Sequence, residues 1–114
     1  MSPGKVILGL TEDVTLFGRN GQKHAAAKVD TGASSSSLDK FLAQELGLGP
    51  VIGNKYIKQA SGATMRPYVE AEIELHGKRM KAVFTLADRS KLKYDILIGV
   101  NILSQGFLVD PSKK

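Results

Sequence analysis

The sequence predicts a mainly-β domain, and three observations carry the prediction. Over most of the chain, apolar residues recur with period two between glycine-containing turns. Apart from a helical turn near the C-terminus, only Leu38, Phe41, Leu42 and Leu46 fall at helical spacing, as in a single short helix. Ile96-Leu97-Ile98 is a continuous apolar run, as in a strand buried on both faces.

Taken in order, Val6, Leu8 and Leu10 alternate, and Val14-Thr15-Leu16-Phe17 runs into Gly18-Arg19-Asn20-Gly21. The Asn20-Gly21 pair predicts a tight hairpin with positive φ at both central residues, and Gln22 to Val29 returns as the next strand. The serines Ser34 to Ser37 are expected to cap the helix that follows, and Gly47 to stop it. Lys55 to Ala60 and Ala63 to Leu75 read as a hairpin arm turning at Ser61-Gly62. In its second strand Met65, Val69, Ala71, Ile73 and Leu75 share one parity, and Arg66, Glu70, Glu72 and Glu74 the other. Pro67 places part of that strand at an edge or in a free arm. His76-Gly77-Lys78 is the next turn, followed by alternating Met80, Ala82, Phe84 and Leu86 and a charged loop from Asp88 to Lys93. After Ile98, Gly99 leads into a helical turn at Asn101 to Ser104, and Gly106 to Val109 forms a last strand. This gives about seven strands in one domain spanning residues 1–114.

The totals narrow the function classes. With no cysteine, neither disulfides nor thiolate metal sites are available, and a cytoplasmic location is expected. Every apolar stretch is shorter than the ~20 residues of a membrane helix, and Met1-Ser2-Pro3-Gly4-Lys5 lacks the plan of a signal peptide. No membrane association is expected. The formal charge of +5 reflects 16 basic against 11 acidic residues, several of the basic ones at Lys78, Arg79, Lys81, Arg89, Lys91 and Lys93. Apolar residues separate these cations as on the outer face of a strand, so they are read as a solvated surface. With three Tyr, four Phe and no aromatic cluster, no nucleic-acid partner is expected. There is no His-Glu-x-x-His, and the glycines at Gly18 and Gly21 are not followed by Lys-Ser or Lys-Thr. No metal and no cofactor is therefore predicted.

The chemistry is concentrated in Asp30-Thr31-Gly32-Ala33, which directly follows an apolar strand. Thr31 can fix the loop through its hydroxyl, and Gly32 offers backbone freedom and close approach that a Cβ would block. Hydrolysis without a metal or covalent intermediate needs one carboxyl as base toward water and another as acid toward the substrate. Two carboxyls held together share a proton because both cannot ionise at that distance. The chain has one such motif, so a twofold dimer is required to supply the second. The competing reading makes Asp30 an ordinary turn residue and Ser61-Gly62 a plain hairpin turn.

Val29-Asp30-Thr31-Gly32-Ala33-Ser34, together with Ile96-Leu97-Ile98-Gly99 and Asn101-Ile102-Leu103, resembles the retropepsin-like aspartic protease family. More narrowly, it is similar to small microbial members sometimes labelled ATP-dependent zinc proteases. The order of elements matches from about residue 5 to about residue 110. The resemblance implies a closed, barrel-like acid-protease fold with one or two short helices. It also implies a homodimeric endopeptidase acting on peptide or protein substrates. Asp30 is then the catalytic aspartate, and Thr31, Gly32 and Ala33 complete the active-site loop, with Thr31 bonding across the dimer axis and Gly32 meeting substrate. Ser61, Gly62 and Ala63 form the tip of a flap that closes over bound peptide. Where viral members often carry an acidic residue and an arginine, this chain has Ser34 and Val100. That departure keeps open a catalytically inactive peptide-binding or dimerisation module of the same fold; a basic nucleic-acid-binding β domain is the more distant alternative.

Overall fold

The computed structural model describes residues 4–113; the first three residues of the stretch read for a signal peptide, and Lys114, lie outside them. Strands β1 (Val6–Leu8), β2 (Thr11–Gly18), β3 (Gly21–Val29) and β4 (Ser36–Asp39) precede helix α1 (Lys40–Leu46). Then come β5 (Gly53–Gln59), β6 (Gly62–Leu75), β7 (Lys78–Ala87), β8 (Ile96–Ile98), helix α2 (Val100–Leu103) and β9 (Phe107–Val109). Neighbours run β2-β3-β8-β4-β7-β6, and the pairing of Val14–Phe17 with Glu72–Leu75 returns β6 to β2, closing a six-stranded barrel. Closure leaves no free edge among these six. β5 pairs with β6 alone and stands off the barrel, which is where Pro67 is tolerated, opposite Asn54. No helix among the described residues is long and apolar enough to cross a membrane.

Alternation sets the inside of the barrel. Val69, Ala71, Ile73 and Leu75 are buried on β6, Ala82 and Phe84 on β7, and Val14 and Leu16 on β2, while Glu70, Glu72 and Glu74 turn outward. Met65 shares the parity but lies on the arm and is exposed.

Three local expectations give way to longer-range bonds. The β2–β3 hairpin turns at Arg19-Asn20 rather than Asn20-Gly21: Gly18 pairs with Gly21, and only Gly21 has positive φ. Asn20 is used elsewhere, donating its backbone N to Leu46 O (3.0 Å) and its amide to Glu45 O (3.2 Å), so it caps the end of α1. The serines do not cap α1. Asp39 does, accepting from Leu42 N at 3.1 Å, while Ser36 and Ser37 form β4, a buried strand without alternation. β4 accounts for part of the excess of the nine strands among the described residues over the predicted seven.

β1 stops at Leu8 because Gly9 donates to Glu12 Oε2 (2.7 Å) and the chain bends into β2. Glu12 also receives His76 Nε2 at 2.7 Å, in a turn where His76 and Gly77 have φ of 52° and 74°, as a tight hairpin demands. Burial pushes the Glu12 carboxyl up, but the Gly9 amide, the His76 ring and the Lys113 ammonium outweigh it and hold it below its ordinary 4.5. A carboxyl held low in the fold contributes stability that is complete above its unfolded pKa and lost as pH falls through the folded one. The wild type is expected to lose stability below pH 4.5, and Glu12→Gln to lose less over that window. Urea midpoints at neutral and acid pH measure this; equal acid losses in both proteins would refute it.

Candidate active site

Parallel strands β3 and β8 end side by side, with Val29 opposite Ile98. The amide of Asp30 donates to Ile98 O (2.9 Å), and Val29 N donates to Leu10 O (3.0 Å), so Asp30 leaves the barrel from a fixed point. Its loop is held by itself: Gly32 N donates to Asp30 Oδ1 at 2.9 Å and Ala33 N to Asp30 O at 3.3 Å. The Asp30 side chain is half-buried, and Thr31 and Gly32 are exposed. Gly32 does not adopt positive φ; what it supplies is space, since a Cβ there would lie 3.3 Å from Asp30 Oδ1.

The two sequence signatures are bonded to each other. Val100 N donates to Ala33 O (2.8 Å) and Asn101 N to Ser34 O (3.3 Å). Ser36 Oγ accepts from Gly99 N (2.9 Å) and donates to Asn101 Oδ1 (2.7 Å), while Asn101 Nδ2 reaches Val83 O (3.0 Å). A Cβ on Gly99 would come within 2.5 Å of Ser35 O and 2.8 Å of Ala33 O, so this approach requires glycine. Val100 and Ser34 are thus each bonded through the backbone, to Ala33 and Asn101 respectively, and neither brings a charge to this junction.

Beside the loop lies a cleft of about 690 Å³ between Gly32–Ser35 and the arm residues Lys55–Lys58, with Ser37, Arg66, Thr85, Arg89 and Leu97 completing its walls. Of the predicted site residues, Gly32 and Ala33 line it, and Asp30 and Thr31 immediately precede them in the loop. Ser61, Gly62 and Ala63 lie at the exposed end of the arm, beyond the cleft lining; the turn itself is Ala60-Ser61, and Gly62 (φ +133°) opens β6 opposite Gln59.

The charge of the cleft was not foreseen. Lys55, Lys58, Arg66 and Arg89 line it, with no acidic side chain. Arg89, read from sequence as part of a solvated loop, is buried: its amide donates to Asp39 Oδ1 (2.8 Å) and its Nε to Tyr94 O (2.9 Å). Burial, and then the nearby charge of Arg66, pull its pKa down, offset in part by Asp95 and Asp39. Nothing in the spacing of residues 88–95 marks Arg89 apart from its charged neighbours. Among the described residues, no three His, Asp or Glu side chains are grouped so as to hold a metal ion.

The profile of the RimB-like family, described as retropepsin-like aspartic endopeptidase RimB, matches residues 42–114. The chain belongs to that family. The match begins within α1, so the Asp30 loop of this RimB-like chain precedes the matched segment. Solved structures agree on the fold. EIAV protease complexed with the inhibitor HBY-793 superposes with a TM-score of 0.66 at 22% identity, over 82% of this chain and 84% of that one. A Legionella pneumophila protein of unknown function, Lpg0085, gives a TM-score of 0.66 at 22% identity, over 96% of this chain and 95% of that one. A Shewanella pealeana protein named "Probable alpha-L-glutamate ligase" is 28% identical over 99% of the RimB-like chain. The chain spans only 30% of that relative's length.

Proposed function

We propose that two copies of this chain, each a single retropepsin-like domain, form an aspartic endopeptidase in which their Asp30 carboxyls activate one water. The observation that carries this reading is a half-buried carboxylate, anchored by Gly32 N and by its own amide to Ile98, on an otherwise exposed loop. With one such loop per chain, the second carboxyl comes from a twofold partner. One Asp30 takes a proton from water as it attacks the peptide carbonyl; the other protonates the carbonyl oxygen. Proton transfer to the leaving nitrogen then breaks the C–N bond. Peptide would lie extended in the cleft, with the β5–β6 arm bonding its backbone.

The substrate class we propose is a chain bearing glutamate. Supporting this are the four cations lining the cleft and the similarity of this chain to part of proteins named as glutamate ligases. Cleavage of acidic peptides by the wild type, blocked by a statine-type inhibitor and absent in Asp30→Asn, is the expected result. Cleavage that survives the substitution would end the proposal.

Exposed apolar side chains favour a dimer around this loop. Leu10 and Val100 adjoin it, and Ile7 and Leu108 face outward side by side from the paired strands β1 and β9. A twofold interface buries Leu108 from both copies, each half exposed in the single chain, together about one full leucine or roughly 1.5–3 kcal/mol, so Leu108→Lys is expected to weaken association by roughly tenfold to a hundredfold. Sedimentation equilibrium measures the shift, and an unchanged constant would move the interface elsewhere.

A further inference from the structure

Two side chains in the cleft beside Asp30 are left incomplete by the protein itself. Arg89 is only 8% exposed, yet it belongs to none of the ion pairs within 4.0 Å among the described residues. Asp39, the buried carboxylate beside it, is committed to two backbone amides, Arg89 N and Leu42 N. Nε is fixed on Tyr94 O, which sets the plane of the guanidinium. Ser37, 6% exposed, has a hydroxyl with no hydrogen-bond partner among the described residues.

Both line the same cleft. Ser37 and Asp39 share one face of β4, so the hydroxyl and the anchor of Arg89 lie two residues apart on that face. A buried cation without a direct ion pair and a buried hydroxyl without a partner each disfavour the empty state. One ligand oxygen pair would satisfy both: a planar carboxylate accepts a guanidinium fork and an O–H together. The two lysines of the cleft differ in kind. Lys55 sits over the Tyr68 ring at 5.6 Å, and Lys58 is exposed on the arm, so they suit attraction of an anionic chain rather than reading of one position.

We infer that Arg89 and the Ser37 hydroxyl form the subsite that selects a side-chain carboxylate next to the bond to be cleaved. This assignment rests on the reading of the cleft as the substrate cleft. Arg89 and Ser37 act there as specificity-determining residues rather than catalytic ones.

The test uses C-terminally amidated peptides carrying one Glu near the cleaved bond, each paired with its Gln twin. The wild type is expected to favour the Glu peptide in kcat/KM by about thirtyfold at one position, the scale of a charge-assisted hydrogen bond. In Arg89→Gln that ratio falls to about one, and Arg89→Lys, which keeps charge but loses the fork, lies between. Ser37→Ala should lower the ratio roughly threefold to tenfold without lowering the thermal midpoint, since the lost hydroxyl bonds nothing in the protein. This variant decides the matter if Arg89→Gln does not fold. A wild-type ratio near one at every position, or a ratio unchanged by Ser37→Ala and Arg89→Gln, overturns the inference while leaving the endopeptidase intact. Preference for a free-acid Gln peptide over its amidated twin would assign the subsite to a chain terminus and overturn it too. Binding of amidated tetraglutamate to Asp30→Asn protein, followed by fluorescence anisotropy, separates the two readings. Binding weakened by Arg89→Gln or Ser37→Ala upholds the subsite even if the wild type cleaves nothing; binding indifferent to both removes it.

Discussion

Asp30→Asn is expected to fold normally and to lose roughly 10⁴-fold or more in kcat, because in the proposed twofold dimer a single substitution removes both acid and base. Folding should survive because the Asn carbonyl oxygen can still accept from Gly32 N, and the anchor to Ile98 is a backbone bond. The sharper measurement is a mixing experiment. At fixed total protein, an equimolar and fully exchanged mixture of wild type and Asp30→Asn should retain about one quarter of the wild-type rate, because only wild-type pairs hold two carboxyls. Chains that work alone would retain about one half. The quarter tests the sharing of the site, which loss of activity in the variant does not.

The second large effect is on stability. Asp39 is 6% exposed and holds two amides that have no other partner near: Leu42 N at 3.1 Å, which starts α1, and Arg89 N at 2.8 Å, which ties the 88–95 loop to the barrel. Asp39→Ala strands both donors. The expected cost is about 3–4 kcal/mol, the sum of a lost helix cap and a buried hydrogen bond to a carboxylate. At about 4–5 °C per kcal/mol this lowers the thermal midpoint by roughly 12–20 °C. Asp39→Asn should be intermediate, because its amide oxygen serves one donor while its NH2 faces the other. Calorimetry measures both, and a loss below about 1 kcal/mol would show that water replaces the carboxylate.

These effects divide along the line between what the sequence displays locally and what it hides. The alternation in β6 and β7 was legible because a barrel wall with one wet face imposes period two on the residues themselves. The corner at Asp30, just past the end of β3, was legible because an acid, a hydroxyl and a glycine follow an apolar strand in immediate succession. The pairing of its loop with Gly99 was open to reading only through resemblance to a family, since 63 residues separate Ser36 from the Gly99 amide it receives. Asp39 passed unnoticed because the serines before it are equally good caps, and β4 wins them through its parallel pairing with β7 and its antiparallel pairing with β8. Arg89 looked like its exposed neighbours Lys91 and Lys93; its burial follows from a hydrogen bond to a residue 50 positions earlier. Asn20 sits in the turn one place earlier than predicted and without positive φ, its hydrogen-bonding groups being directed to the end of α1.

The parallel pairing of β1 with β9, Val6 opposite Phe107, has a kinetic consequence. It joins positions about 100 residues apart, so its ring-closure entropy is among the largest in the chain, and this ribbon is expected to zip up after the barrel has condensed. Ile7 and Leu108 come together only at that step. A nascent or half-folded chain therefore lacks the sticky surface through which finished copies would meet, and assembly is deferred until folding is complete.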